Sequence, residues 1–178
     1  MRGRRLATLC GAALLLGSLH AAPAAADVVS SDTDGFTINI ERTTHATPEA
    51  AFALFGQPGR WWSSTHSWSG DARSMTIAPQ EAGGCWCELL PQSGSVEHGR
   101  VIMWDPENFR IRFRAELGPL QIKAAFGRLE WLAVPGPDGL THVVMHYEVA
   151  GRGFGDVAAF AAAVDHVLSE QLDRFVAE

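Results

Sequence analysis

Residues 140–176 read LTHVVMHYEVAGRGFGDVAAFAAAVDHVLSEQLDRFV, and this stretch contains the two periodicities on which the fold depends. From Val143 to Val149 every second residue is apolar, which is the period of a strand with one buried face. Beyond that strand, apolar residues recur at steps of three and four, and Asp156 is placed to cap a helix that continues to Val176. About five turns of helix can lie across a whole sheet. The stretch therefore predicts a strand followed by one long amphipathic helix.

Upstream of this stretch, the sequence predicts a series of short strands joined by short, turn-rich connections. Phe109, Ile111 and Phe113 alternate with three arginines, so they share one face of a strand. The connections are too short for parallel crossovers, which need a dozen or more residues, so neighbouring strands are expected to be antiparallel. The predicted strands are Phe36–Arg42, Ser74–Ala78, Cys85–Leu90, Ser95–Trp104, Phe109–Leu117, Ala124–Ala133 and Leu140–Ala150.

A short helical region is predicted between the first two of these strands. Thr47 is a favourable N-cap, Pro48 suits the first helical position, and Glu49 places a negative charge in the first turn. Gly56 ends the apolar run that follows. The sequence thus predicts an α+β fold: a curved antiparallel sheet of about seven strands wrapped on a long C-terminal helix, with short helices after the first strand.

The beginning of the chain has the three parts of a cleavable secretory signal. A basic start, Met1–Arg5, precedes the apolar run Leu6–Leu19, and Ala24-Ala25-Ala26 provides a small-residue cleavage site before Asp27. The apolar run is shorter than the roughly 20 residues needed to span a bilayer. We therefore expect residues 1–26 to be removed and the mature protein to be periplasmic or secreted. Residues 27–178 would form one domain, with 27–35 as a flexible N-terminus.

Composition excludes several classes of function. Loss of the three arginines in the predicted signal would change the formal charge from −6 to −9, and so acidic a protein is a poor ligand for nucleic acids. The mature part contains no further apolar run of membrane-spanning length, so no stable membrane span is expected. Hydrolase, phosphate-loop, zinc-protease and dinucleotide motifs are also missing from the sequence, and we expect neither a cofactor nor a metal.

Several short motifs occur along the chain in one order and cover most of residues 36–176. Together they resemble the START-type superfamily, also called SRPBCC, in its bacterial polyketide cyclase-like and heat-shock-ATPase-activator-like branch. The resemblance implies a helix-grip fold with an apolar cavity between the long helix and the sheet, but the superfamily contains enzymes, carriers, receptors and chaperone regulators. The motifs are TPEAAF (47–52), WW (61–62), WSGDA (68–72), GGCWCE (83–88), EHGRV (97–101), LGPL (117–120) and YEVAG (147–151).

Cys85 and Cys87 lie on one face of a predicted strand. Their Cα atoms would be roughly 6.5–7 Å apart in a regular strand, which is the outer limit for a disulfide. A disulfide would thus be strained, and the spacing is unfavourable for a metal site. Two small buried thiols are the interpretation that the pattern favours.

Aromatic residues are the candidate contacts for a ligand in the predicted cavity. Three tryptophans crowd residues 61–68, where flat apolar side chains occur beside hydroxyl and imidazole groups. The alternative is that these rings simply fill the core. The candidates are Trp61, Trp62, Trp68, Trp86, Trp131 and Tyr147.

Glu88, Glu97 and His98 are the candidate acid/base residues. A short turn brings their two strands together, so a carboxylate could hold one imidazole nitrogen and fix the tautomer of the ring. The alternative is an ordinary salt bridge at the surface or at the edge of the cavity.

Three functions follow from these features. The first is an exported binding protein, without turnover, for a small apolar or amphipathic molecule. The second is an enzyme of the cyclase, dehydratase or hydrolase type that uses the cavity Glu and His groups. The third is a partner-binding module related to the chaperone activators, which the predicted export disfavours.

Overall fold

The computed structural model describes residues 27–178, and it has eight antiparallel strands in one curved sheet with a long C-terminal helix. The predicted signal peptide lies outside the described residues. In chain order the elements are β1 (Val28–Asp32), β2 (Gly35–Thr44), α1 (Pro48–Phe55), α2 (Pro58–Trp61), β3 (Met75–Ala78), β4 (Cys85–Leu89), β5 (Ser95–Asp105), β6 (Arg110–Arg114), β7 (Ala124–Pro135), β8 (Thr141–Arg152) and α3 (Val157–Val176). The spatial order of the strands is β1-β2-β8-β7-β6-β5-β4-β3.

The helix-grip architecture predicted from the sequence is confirmed. Strand β8 alternates as expected, because Val143, Met145, Tyr147 and Val149 are all buried on one face. The strand pairs with β2 on one side and β7 on the other along nearly its whole length. Since every connection from β3 to β8 joins sheet neighbours, the sheet is a meander that curves around the core.

Strand β1 is a difference from the prediction of a flexible N-terminus over residues 27–35. It pairs with β2 through Ser30, Ser31 and Asp32, so the sheet has eight strands rather than about seven. The residues of β1 are mostly exposed and polar, and they lack the apolar alternation by which strands are recognised in a sequence. Backbone pairing at the edge of the sheet does not require that alternation.

Helix α3 begins where its cap residue predicts. The Asp156 carboxylate accepts a hydrogen bond from Ala159 N at 3.0 Å, which satisfies one of the free amides of the first turn. The helix packs against β1 and β2 and buries Ala161, Leu168, Leu172 and Phe175. Because it covers only one part of the concave face, other side chains must fill the rest.

A cluster of aromatic rings fills most of the remaining space under the helix. The Trp131 ring is at its centre, with ring centroids 5.2 Å from Trp61, 5.1 Å from Trp86 and 4.8 Å from Phe113. Phe175 of α3 stacks against this cluster through Phe55, with a centroid separation of 4.6 Å. These contacts make the centre of the domain a dense core, and any open space must lie to one side of it.

Cys85 and Cys87 form a disulfide, which corrects the expectation of two buried thiols. The Cα atoms of Cys85 and Cys87 are 5.3 Å apart, closer than the regular strand geometry assumed in the prediction. The pairing of β4 with β5 shifts register between Trp86 and Cys87, and the extra residue of this bulge lies on β5 rather than on the cysteine strand. Within residues 27–178, no helix is long and apolar enough to cross a membrane.

Candidate functional site

A cavity of about 290 Å³ opens beside the aromatic core. It lies between α3, the segment 62–68, the N-terminal part of β5 at His98 and the turn after β6. Only three of its thirteen lining residues carry polar side chains, so it is an apolar site with a few convergent polar groups. The lining residues are Trp62, His66, Ser67, Trp68, His98, Leu117, Gly118, Pro119, Phe160, Ala163, Val164, Val167 and Leu168.

Segment 62–68, which forms one wall of the cavity, is held in place by side chains of α3. The buried Gln171 amide oxygen accepts a hydrogen bond from Ser63 N at 2.7 Å, and Arg174 Nε donates to the Trp61 carbonyl at 2.9 Å. His66 pairs with Glu170 at 3.0 Å. The wall and the helix therefore form one connected unit, although the segment has little regular secondary structure.

The two tryptophans of this segment have different positions. Trp62 is buried; its ring packs against Trp86, and its indole nitrogen donates to the His66 carbonyl at 2.9 Å. Trp68 is 55% exposed and lies at the mouth of the cavity. An exposed indole beside an apolar opening offers a flat surface to an incoming molecule.

His98 reaches the cavity because of a β-bulge. Trp86 pairs with Gly99 and Cys87 pairs with Glu97, so His98 has no partner on β4. A bulge of this kind redirects a side chain, and here His98 and Gly99 are buried one after the other. The imidazole thereby becomes part of the cavity wall.

Behind His98 lies the fully buried carboxylate of Glu88. Its Oε2 atom accepts hydrogen bonds from His98 Nε2 at 2.8 Å and from Trp68 N at 3.1 Å, and Oε1 accepts one from Ser69 N. Burial alone would raise the pKa of Glu88, but the hydrogen bonds from Ser69, Trp68 and His98 outweigh it and lower the pKa. Glu88 is therefore ionised near neutral pH.

The ionised carboxylate determines which nitrogen of His98 carries the proton. Because Glu88 can only accept, Nε2 must donate to it. Burial lowers the pKa of His98, although Glu88 opposes this shift, so the ring is neutral near pH 7 and Nδ1 has a free lone pair. No described residue is a hydrogen-bond partner of Nδ1. His98, which lines the cavity, thus carries one acceptor whose position is fixed by Glu88.

The structure separates Glu97 from this pair. Its carboxylate points to the exterior, where it forms an ion pair with Arg100. Of the three candidate acid/base residues, Glu88 and His98 are brought together, and Glu97 lies on the outer face of the sheet.

The six candidate ligand contacts also divide into two groups. Trp62 and Trp68 line the cavity. Trp61, Trp86 and Trp131 are fully buried in the aromatic cluster. Trp61 and Trp86 pack against the lining residue Trp62 from behind.

Tyr147 belongs to the supporting group as well. Its hydroxyl donates to the Ala115 carbonyl at 2.8 Å and accepts from Leu117 N at 3.3 Å. Burial raises its pKa, so the phenol stays protonated. Since Leu117, Gly118 and Pro119 line the cavity, Tyr147 fixes the backbone that leads into this rim.

Sequence reasoning did not identify the residues that α3 and the turn after β6 contribute to the cavity. Phe160, Val164 and Val167 lie on the apolar stripe of α3, but periodicity does not distinguish a residue that lines a cavity from one that packs in the core. Within the described part of the chain, no group of three or more His, Cys, Asp or Glu side chains is arranged to hold a metal ion.

Solved structures with this architecture come from several bacteria. A protein from Rhizobium leguminosarum superimposes with a TM-score of 0.57 at 18% identity, over 81% of this chain and 93% of its own. A protein from Mesorhizobium loti has a TM-score of 0.54 at 18% identity, over 79% and 94% of the two chains. These likenesses show a shared fold.

A further similar structure is StfQ, described as a di-domain ARO/CYC from the steffimycin biosynthetic pathway. Its TM-score is 0.51 at 17% identity, over 79% of this chain and 43% of StfQ. No protein with a curated description matches the sequence. Residues 36–178 match the family described as polyketide cyclase / dehydrase and lipid transport. The match covers the sheet from Phe36 of β2 onward, the cavity and α3, and the chain therefore belongs to this family.

Proposed function

We propose that the mature protein is an exported binding protein for a small apolar or amphipathic molecule that carries a hydrogen-bond donor. The observation that carries this proposal is the apolar cavity lined by His98, whose Nε2 atom is held by Glu88. The family description, which includes cyclases, dehydrases and lipid transport, supports a ligand of this general kind.

The size of the cavity limits the ligand. An apolar protein cavity of about 150 Å³ holds one benzene ring, so a cavity of about 290 Å³ holds roughly two rings. A long acyl chain would have to extend through the mouth past Trp68. We therefore favour a compact ligand with one or two rings over a whole lipid.

The polarity of the cavity selects among such ligands. His98 Nδ1 is a neutral acceptor in an apolar wall, and leaving it without a partner under a bound ligand would cost about 1–3 kcal/mol. A hydroxyl or N–H group on the ligand avoids that cost. His66 and Ser67 provide further polar contacts in the lining.

Two matched probes test this selection. 1-Naphthol and naphthalene share a two-ring skeleton and differ by one hydroxyl, so their affinities can be compared by quenching of tryptophan fluorescence. We expect 1-naphthol to bind roughly tenfold more tightly, the factor that corresponds to one net hydrogen bond. His98→Phe should remove this difference in affinity. His146→Phe, on the face of β8 opposite the core, should leave it unchanged. Equal affinities for the two probes in the unmodified protein would refute the selection.

The natural ligand can be sought directly by native mass spectrometry. The mature protein, purified from its own host without detergent, should carry a stoichiometric additional mass. A mass equal to that of the protein alone would count against a carrier and in favour of turnover.

The second candidate function, catalysis, is favoured by the buried Glu88–His98 pair. The neutral imidazole could remove a proton from a carbon next to a carbonyl group: the C–H bond breaks, its electrons form the enolate, and the proton moves to Nδ1. Glu88 would stabilise the resulting imidazolium. In a dehydration, the same proton would then be transferred to the departing hydroxyl, which leaves as water and restores the neutral ring.

Proton exchange provides a test that does not require the natural substrate. With 2-tetralone in D₂O, the enzyme should accelerate exchange of the protons next to the carbonyl, measured by NMR. His98→Gln should lose this acceleration while the probe still binds. Exchange at the background rate in the unmodified protein would exclude His98 as a base for such substrates.

Export is part of the proposal and has its own test. Fractionation of the host should find the mature protein in the periplasm or the medium, and a cytoplasmic location would refute it. In that case the third function, a partner-binding module, would regain support.

A further inference from the structure

We infer that removal of the signal peptide creates a structural ion pair, in which the new α-amino group of Asp27 binds the buried carboxylate of Asp165 on α3. This inference rests on the predicted cleavage after Ala26 and is independent of the ligand. It gives the cleavage a structural consequence, because the cut produces the charge that the buried acid lacks.

The geometry is already present around the Asp27 nitrogen. That atom lies 3.3 Å from Asp165 Oδ1 and donates a hydrogen bond to it. Asp165 is 7% exposed, and it lies on the face of α3 that packs against the sheet. A carboxylate buried to this degree is costly unless a positive charge compensates it.

Other contacts hold Asp27 in this position. Its carbonyl accepts a hydrogen bond from Asn39 N on β2 at 3.0 Å, and its carboxylate lies 3.6 Å from Arg42. Arg42 is already engaged elsewhere, since its Nε donates to Asp173 at 2.6 Å. The contacts with Asn39 and Arg42 therefore hold the nitrogen of Asp27 beside Asp165 before any charge is added.

The charges around Asp165 leave it undercompensated. Burial raises the pKa of Asp165, and the hydrogen bond from the Asp27 amide lowers it only in part. The neighbouring Asp27 carboxylate adds to the rise, while Arg42 and His166 oppose it without cancelling it. Asp173 takes the close contact of Arg42. With the peptide bond to Ala26 intact, Asp27 N is a neutral amide and adds a hydrogen bond but no charge.

Cleavage changes this balance by one unit of charge. Hydrolysis by a signal peptidase consumes one water: the C–N bond between Ala26 and Asp27 breaks, Ala26 leaves with a carboxylate, and the nitrogen of Asp27 becomes an ammonium group. A hydrogen bond to a charged partner contributes more than one to a neutral amide. The docking of β1 against α3 should thus be strongest in the mature chain.

Two proteins test the inference. The first is residues 27–178 with a free α-amino group, released from a fusion by a protease that leaves no additional residue. The second is the same chain preceded by Gly-Ser-Gly. Urea unfolding near pH 7 should show a folding equilibrium constant about tenfold lower for the extended chain. Asp165→Asn in both proteins should remove most of that difference. Equal stability of the two unmodified proteins would overturn the inference.

A measurement on the unmodified sequences covers the case in which Asp165→Asn does not fold. Carboxyl ¹³C titration by NMR should give a lower pKa for Asp165 in the free-amine protein than in the extended protein. The α-amino group should in turn have a raised pKa, so the stability difference is present at neutral pH and is lost as pH rises through that value. An unchanged Asp165 pKa would contradict the ion pair. If N-terminal sequencing shows that the exported protein begins at a residue other than Asp27, the predicted cleavage after Ala26 is contradicted.

Discussion

Glu88 Oε2 lies 2.8 Å from His98 Nε2, with Glu88 fully buried and His98 4% exposed. The carboxylate also accepts hydrogen bonds from the backbone N–H groups of Trp68, in segment 62–68, and of Ser69, the next residue. One buried charge therefore holds both the cavity wall and the imidazole that faces the cavity. This dual role makes the pair the most informative target for mutation.

Glu88→Gln should invert the tautomer of His98. The glutamine amide keeps the shape of the side chain but has one oxygen in place of two. With that oxygen on Ser69 N, the NH₂ group takes the position of Oε2 and donates to Nε2, so the ring proton moves to Nδ1. The cavity would then present a donor in place of an acceptor. We expect the ¹⁵N shifts of His98 to exchange their protonated and unprotonated signatures, and the free energy of unfolding to fall by about 1–3 kcal/mol.

The control for this change is Glu97→Gln, which removes a carboxylate on the outer face of the same pair of strands. It should leave the His98 tautomer and the 1-naphthol affinity unaltered. An unchanged tautomer in Glu88→Gln would contradict the predicted inversion.

The stability of the domain should decrease in acid in two steps. Burial lowers the pKa of His98 below its ordinary 6.5, so the unfolded chain binds this proton first and stability falls as pH drops through 6.5. The hydrogen-bonded Glu88 has a pKa below its ordinary 4.5, so a second loss begins as pH falls through that value. Each group contributes a slope of at most about 1.4 kcal/mol per pH unit. Urea unfolding at a series of pH values measures both steps. His98→Gln should remove the first step. If the first step persists in this variant, it belongs to a group other than His98.

Much of the fold could be predicted from local sequence signals. The period of two in β8, the caps at Thr47 and Asp156 and the short connections depend on neighbouring residues, and the structure has these features as expected. Strand β1 lacked such a signal, because its pairing with β2 comes from the backbone at a sheet edge. The Cys85–Cys87 bond was not predicted either, since it depends on a local departure from regular strand geometry.

The site was only partly predictable, for related reasons. The turn between β4 and β5 was sufficient to place Glu88 near His98. The bulge that turns His98 inward and leaves Glu97 outside arises from the pairing of two strands, which no single strand encodes. In the same way, Trp61 and Trp131 carry the same chemistry as Trp62, and only the packing of the whole domain decides which rings border the cavity.

Tyr147→Phe should weaken the rim of the cavity as well as the core. It would leave the Ala115 carbonyl and the Leu117 amide without their shared partner, at a cost of about 1–3 kcal/mol in the free energy of unfolding. The loss should also appear as faster hydrogen exchange at the Leu117 amide. Thermal or urea unfolding combined with exchange NMR measures both effects, and normal protection at Leu117 would contradict this role.

Gly127→Ala should disturb the same hydrogen bonds from the other side. A Cβ atom at this position would overlap the Ala115 carbonyl oxygen and lie 2.8 Å from the Tyr147 hydroxyl, and most of these contacts are with backbone that cannot move away. We expect a larger loss of stability than in Tyr147→Phe. Gly139→Ala, in a turn with open space around the glycine, controls for a general effect of adding a methyl group, although its positive φ adds some strain. Equal stability of Gly127→Ala and the unmodified protein would show that this close approach is not needed.

Ala163→Phe should close the cavity without unfolding the domain. Ala163 lies on α3, lines the cavity and is exposed at its edge, so a larger side chain there can enter the open space with little disturbance of the core. Ala162→Phe is the matched control, because Ala162 is also exposed on α3 but is not among the residues that line the cavity. We expect the affinity for 1-naphthol to fall at least about tenfold in Ala163→Phe, which corresponds to the lower end of the usual cost of overpacking. The control should bind normally, and both variants should unfold within about 0.5 kcal/mol of the unmodified protein, as expected for surface positions. Equal binding by the two variants would mean that the probe occupies a different site, and the proposed role of the cavity would then fail.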